Sequence, residues 1–183
     1  MSKSAQRINL YLALGAFAFL AMIGLYTLEF SYFSNTRNFG LLAFYSLIVA
    51  TVLVGIFLFF GYRLKFLNKD SIRLHVFFVV SFLVFAPFFG SYTNRKFSTA
   101  RPFSEEYNYL GQKGYFVQTY GKKKGQPADT YWIYLRKNEK EYVFCTQGYM
   151  PQQIAGSGSD VRLVMRKGFW GFDFFDGRSW EFI

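Results

Sequence analysis

The sequence predicts a membrane protein with three transmembrane helices, followed by a small C-terminal antiparallel β-domain that forms a barrel or a sandwich. Hydrophobic residues make up 52% of the 183, and before residue 93 they concentrate in three apolar runs. After residue 93, short segments alternate apolar and polar side chains between turn residues, a pattern of half-buried strands. We therefore divide the chain into a transmembrane domain, 1–93, and a soluble β-rich domain, 94–183.

The first two apolar runs are long enough to cross a bilayer. Residues 8–28 and 40–61 contain no charged side chain, and each would extend over about 32 Å as a helix. A secretory signal peptide is the alternative for the first run, because Lys3 and Arg7 precede it. The run is longer than a signal sequence and lacks a small-residue cleavage site at its end, which favours an uncleaved span.

The third run is shorter. Only residues 76–89 are strictly uncharged, and fourteen residues fall short of a crossing. Extension to 72–92 gives a full span, in which Arg73 and His75 reach one interface and Tyr92 anchors the other. Pro87 would kink this helix near its end. The alternative is a re-entrant segment that enters and leaves on the same side.

Basic residues predict the orientation. The loop at 62–73 carries four basic residues and one acid: Arg63, Lys65, Lys69, Arg73 and Asp70. Short loops rich in Lys and Arg stay in the cytoplasm, so we expect a cytoplasmic N-terminus and an extracytoplasmic β-domain. A bacterial inner membrane is the expected location.

Small residues mark one side of the second run. Ala43, Ser46 and Ala50 fall on one helical face, and Thr51 and Gly55 form a pair four residues apart. Small side chains let helices approach closely in lipid. This pattern indicates either a helix-packing face or the ordinary composition of a membrane helix.

The β-domain is expected to open with a short helix. Ser104 is a good N-cap, Glu105 and Glu106 suit the first helical turn, and Gly111 is a favourable end. Strands are then predicted at 115–120, 130–137, 141–147 and 161–167. A final hairpin is expected from 172–175 and 178–183.

Turn and alternation signals support these strands. A tight turn is predicted at Asn138-Glu139, and Asp176-Gly177 is a favoured two-residue hairpin turn. In the strand at 130–137, three residues should face inward and three outward: Tyr131, Ile133 and Leu135 against Trp132, Tyr134 and Arg136.

The distribution of ionisable residues argues against a transporter, a membrane enzyme and a metal site. The uncharged runs hold no Asp, Glu, Lys, Arg or His side chain, which argues against proton-coupled transport and intramembrane catalysis. The single cysteine, Cys145, and single histidine, His75, leave no basis for an intramolecular disulfide, a cysteine-based metal cluster or a multi-histidine site. We therefore predict a non-enzyme without cofactor, metal or catalytic residues.

Two functions from different classes remain. The first is a subunit or accessory factor of an envelope membrane complex, which contacts another protein through the β-domain. The alternative is a membrane-anchored sensor for anionic lipid headgroups or glycans, with contact residues Lys122, Lys123, Lys124, Trp132 and Tyr134. The net charge of +10 is split evenly between the two halves of the chain, unlike the clustered charge of a nucleic-acid-binding protein.

Overall fold

The first two predicted spans are helices. The computed structural model describes residues 3–63, 72–115, 128, 130–146 and 159–183. Helix α1 runs from Lys3–Ser34 and helix α2 from Phe39–Arg63. Both contain stretches long and apolar enough to cross a membrane, as expected for an integral membrane protein.

The third apolar run forms two helices with a bend between them. Helix α3 covers Ile72–Val84 and helix α4 covers Ala86–Lys96, with an angle of 49° between their axes. Pro87 lies in the first turn of α4, and because it has no N–H it cannot donate the i to i−4 bond that would continue α3 into α4. The bend predicted at this proline is therefore present. Counted as one bent helix, the pair gives a third stretch able to span a membrane.

The helical unit, Met1–Phe30 with Gly40–Tyr92, is packed by aromatic pairs and small residues. Phe85 lies edge-on to Phe19 at 5.5 Å between ring centroids. A Cβ built on Gly90 would lie only 1.8 Å from the hydroxyl oxygen of Ser46. Helices α2 and α4 therefore approach each other at a position that accepts only a glycine, as is typical of helices packed in lipid.

The C-terminal region is an antiparallel sheet, as predicted. Its strands are β1 (Phe103–Tyr115), β2 (Thr130–Lys137), β3 (Lys140–Thr146), β4 (Asp160–Lys167) and β5 (Asp173–Phe182). They are hydrogen-bonded in the order β3-β2-β1-β4-β5. These five strands thus form one curled sheet, which has the shape of half a barrel.

Strand β1 produces the curl. Its first half pairs with β4 and its second half with β2. Leu110 is an extra residue where the register with β2 shifts, and a bulge of this kind bends a strand and increases its twist. The concave side holds a single core to which all five strands contribute: Tyr107, Tyr109, Ile133, Leu135, Phe144, Val161, Leu163, Met165 and Phe175.

The predicted helix at 104–111 is wrong, because these residues belong to β1. Tyr107 and Tyr109 are buried while Asn108 between them is exposed, so the segment has the period of a strand. The helix-capping chemistry of Ser104 and Glu105 was overridden by pairing with β4, which no local pattern reveals.

The predicted final hairpin is also wrong. Strand β5 is continuous in direction, and both of its halves pair with β4: Phe175 opposite Met165, and Trp180 opposite Leu163. The residues between them form a bulge. Gly177 has the positive φ (81°) expected for an Asp-Gly turn, but it is used inside a strand rather than at a reversal.

The other strand predictions agree closely with the structure. Strand β2 has the predicted bounds, and Asn138 and Glu139 adopt φ values of 48° and 63° in the tight turn to β3, as a type I′ hairpin requires. Tyr131, Ile133 and Leu135 face the core side. The strand predicted at 115–120 lies outside the described residues except for Tyr115, the last residue of β1.

The second compact unit contains more than the C-terminal region. It consists of Ser31–Phe39 together with Thr93–Ile183. The last turn of α1, the loop at 35–38 and the first residue of α2 are therefore part of the β-domain, a feature that composition does not indicate.

Candidate functional site

The loop at 35–38, between α1 and α2, pairs with the free edge of β5. The backbone N–H of Phe175 donates to the carbonyl of Asn35 (2.9 Å), and the N–H of Arg37 donates to the carbonyl of Asp173 (2.8 Å). Thr36 forms an antiparallel bridge with Phe174. These three residues of the loop therefore extend the sheet as a short additional strand.

The side chain of Asn35 reaches the opposite edge of the sheet. Its Nδ2 donates to the carbonyl of Cys145 in β3 (2.8 Å), and its Oδ1 accepts from the N–H of the same residue (2.5 Å). Asn35 is only 3% exposed. One asparagine thus joins β3 to β5, the two outer strands of the half-barrel.

Arg37 carries the charge of this site. Its guanidinium forms hydrogen bonds to the carboxylate of Glu105 and the hydroxyl of Tyr107, and one nitrogen lies 3.4 Å from the carboxylate of Asp173. Lys137 donates to the other oxygen of Glu105 (2.5 Å). Two basic and two acidic side chains therefore form one partly buried network, which compensates the cost of burying each charge.

The network shifts the pKa values of Glu105 and of Tyr107. Burial alone would raise the pKa of Glu105, but hydrogen bonds from Lys137, Tyr107 and Arg37 outweigh it, and the pKa lies below its ordinary value of 4.5. Burial, followed by the hydrogen bond to Glu105, raises the pKa of Tyr107. The Tyr107 hydroxyl therefore stays protonated and serves as a hydrogen-bond donor to the carboxylate (2.7 Å).

A polar cleft of about 470 Å³ opens beside this network. One wall is Lys140–Phe144 of β3, and the other is formed by Ser34, Thr36, Arg37 and Asn38. Backbone groups of alternate residues on an edge strand face the same way. Because the N–H and C=O of Cys145 face outward to Asn35, those of Val143 and Glu141 also point toward the free edge, along the cleft.

Cys145 itself has no features of a reactive thiol. Its side chain is buried, and its sulfur lies 3.4 Å from the Tyr115 hydroxyl. Burial raises the pKa of this thiol, although the contact with Tyr115 acts in the opposite direction. A protonated, buried thiol of this kind is a packing residue.

Of the predicted contact residues, Trp132 and Tyr134 do not line this cleft. Lys122, Lys123 and Lys124 lie outside the described residues. Trp132 is 39% exposed on β2 and its indole N–H donates to the Tyr115 hydroxyl (2.9 Å). Tyr134 is half-buried.

The small residues of α2 divide into two groups. Ser46 and Ala50 are buried and Ala43 is half-buried, so this face packs within the helical unit. Thr51 and Gly55 are exposed, and a Cβ on Gly55 would meet nothing within 4 Å.

Sequence reasoning missed Asn35, Arg37 and Glu105. The sequence patterns indicate no role for Arg37, and they place Glu105 in a helical turn. A signal was nevertheless present, because Asn35 and Arg37 lie between two membrane helices in a loop too short for a separate fold.

Among the described residues, no group of three or more His, Cys, Asp or Glu side chains is arranged to hold a metal ion.

Comparison of the chain with family models, with curated proteins and with solved structures finds no match in any of the three.

Replacing Asn35 should open the sheet locally. Asn35→Leu keeps a similar volume but leaves the outward N–H and C=O of Cys145 unpaired, at a cost of about 1–3 kcal/mol. If local opening controls access, the Cys145 thiol should react about 10- to 100-fold faster with an alkylating reagent in detergent. The exposed Asn38, with φ of 58°, provides the control: Asn38→Gly should leave the rate unchanged. An equal rate for Asn35→Leu and the parent would contradict this role.

Glu105 should make stability depend on pH. Because its pKa is lowered in the folded state, the carboxylate stabilises the fold above pH 4.5, and this contribution is lost as the pH falls through the folded-state pKa. Glu105→Gln should reduce the free energy of unfolding by about 1–3 kcal/mol at pH 7 and weaken its decline in acid. The control is Glu141→Gln, which removes an exposed ion pair with Arg136. This substitution should change the free energy of unfolding by about 0.5 kcal/mol or less. Equal acid sensitivity of Glu105→Gln and the parent would show that Glu105 is not the source of the pH dependence.

Proposed function

We propose that this chain is a three-span, non-catalytic subunit or accessory factor of an envelope membrane complex. Its β-domain lies outside the cytoplasm and contacts another protein through the cleft beside Arg37. The observation that carries the proposal is the outward-facing edge of β3 along that cleft. The helices serve as the anchor.

Chain connectivity supports the third crossing. If α1 and α2 each cross once, residues 31–39 lie on one side of the membrane and the chain after α2 lies on the other. Residues 31–39 belong to the same compact unit as the β-domain and so share its side. The α3–α4 pair must then carry the chain across again, whereas a re-entrant segment would return it to the side from which it came.

The basic loop at 62–73 supports the orientation. It follows α2, and positively charged short loops stay in the cytoplasm. With this loop inside, residues 31–39 and the β-domain are extracytoplasmic. The expected location is a bacterial inner membrane.

The edge of β3 favours a protein as the partner. Val143 and Glu141 present backbone N–H and C=O groups along the cleft, and among the described residues no strand pairs with this edge. An extended peptide segment can add a strand to such an edge, gaining main-chain hydrogen bonds. The amide of Asn35 already binds the next outward-facing residue, Cys145, in the same way.

The cleft also supplies specificity. Its polar lining includes Arg37 and Lys140, while Val143 is an exposed apolar side chain. A partner strand with a carboxylate or carbonyl near Arg37 and an apolar residue over Val143 fits both features. Main-chain bonds would provide affinity, and these side chains would select the sequence.

Val143→Pro should abolish partner binding. Proline removes the outward N–H of Val143, and an edge strand tolerates it where the N–H does not bond within the sheet. Val143→Ala is the matched control, since it shortens the side chain but keeps the donor. In mild detergent, the parent and Val143→Ala should copurify with a stoichiometric partner that contributes an extended segment, and Val143→Pro should lose about 10-fold or more of it.

Two results would contradict the proposal. One is full retention of the partner by a folded Val143→Pro protein, with thermal unfolding like that of Val143→Ala. The other is repeated recovery of the parent as an isolated chain.

A further inference from the structure

Three aromatic side chains of the β-domain form an exposed patch. Phe97 and Phe169 are 58% and 64% exposed, and Trp170 is 37% exposed. The ring of Phe169 lies 6.2 Å from that of Phe97 and 6.1 Å from that of Trp170. We call these three residues the aromatic patch. Contiguous apolar surface of this kind is unfavourable in water and marks a contact surface.

Asn94 holds the loop that carries the patch. This residue is buried, and its backbone carbonyl accepts from the N–H of Phe169 (2.8 Å). Its side-chain Oδ1 accepts from the N–H of Trp170 (3.0 Å), and its Nδ2 donates to the carbonyl of Phe172 (3.0 Å). One side chain and its own carbonyl therefore fix three residues of a five-residue loop.

Further contacts fix the loop to the same short segment. The indole N–H of Trp170 donates to the hydroxyl of Thr93 (2.9 Å), and the Ser98 hydroxyl donates to the carbonyl of Lys167 (2.7 Å). Gly168 packs so closely on Asn94 that an added Cβ would lie 2.2 Å from its amide. The aromatic side chains are thus held outward by a rigid scaffold.

The position of the patch in the chain indicates what covers it. Phe97 directly follows α4, the last helix of the membrane region. Lys96 precedes it, and Lys167 and Arg166 precede the loop; all three are exposed. Exposed aromatic rings beside basic side chains, immediately after a membrane helix, are typical of the boundary between headgroups and acyl chains.

We propose that the aromatic patch inserts into the headgroup–acyl boundary of the bilayer that holds the helices, with the neighbouring basic residues on anionic headgroups. This is a second contact of the β-domain, distinct from the cleft beside Arg37. It rests on the proposed membrane crossing of α4, but it needs no partner protein. It would fix the β-domain at the membrane surface with an orientation set by the rigid loop.

Tryptophan fluorescence provides a direct test. The chain has three tryptophans, so Trp132→Phe with Trp180→Phe leaves Trp170 as the sole reporter. Trp170→Phe with Trp180→Phe leaves Trp132, which has nearly the same exposure in the protein (39% against 37%). Each full-length variant is reconstituted into vesicles of phosphatidylcholine and phosphatidylglycerol whose acyl chains carry bromine near the headgroup.

The fluorescence of Trp170 should be quenched about twofold or more relative to its fluorescence in unbrominated vesicles. Bromine near the headgroup should quench it more strongly than bromine near the chain ends, as expected for a ring at the acyl boundary. Trp132 should be quenched much less. Adding Phe97→Ser and Phe169→Ser to the Trp170 reporter should remove most of the effect. These vesicles contain no partner, so the result is separate from the Val143 test.

Equal quenching of Trp170 and Trp132 would overturn the proposal, as would an unquenched Trp170 in protein whose helices are correctly inserted. An unquenched Trp170 with blue-shifted emission would show that protein, rather than lipid, covers the patch, and would also overturn it.

Discussion

The β-domain depends on the double hydrogen bond between the side chain of Asn35 and the backbone of Cys145. A curled five-stranded sheet has two open edges, and unpaired backbone groups there are costly when buried and prone to aggregate when exposed. The loop at 35–38 covers the edge of β5 with its backbone and part of the β3 edge with one amide. The chain thus closes its half-barrel with a segment that precedes α2, far away in sequence.

The same loop creates the polar cleft. Arg37 follows Asn35 by two residues and enters a network with Glu105, Asp173 and Tyr107. Because the Asn35 contact occupies only the Cys145 end of the β3 edge, the outward groups of Val143 and Glu141 are left facing the cleft. The proposed binding edge is therefore a consequence of incomplete closure of the sheet.

Local sequence patterns predicted the helices, the strands β2, β3 and β4, and the turn at Asn138-Glu139, because each depends on periodicity or on a left-handed turn. They failed where tertiary pairing decides. The cap-like Ser104 and Glu105 became part of β1 through pairing with β4, and Asp176-Gly177 became a bulge because both flanks pair with the same strand. The site was missed for a related reason: Asn35 and Cys145 are 110 residues apart, and nothing local to either indicates the other.

Thiol labelling across the membrane tests most directly the central claim that residues 31–39 and the β-domain share one side, opposite the loop after α2. In a Cys145→Ser background, single thiols are introduced by Asn38→Cys, Lys140→Cys and Asn68→Cys. A membrane-impermeant reagent should label the first two in intact spheroplasts, and the third only after the membrane is opened. Labelling of Asn38→Cys and Lys140→Cys from opposite sides, or of Asn68→Cys from the same side as Asn38→Cys, would contradict the account.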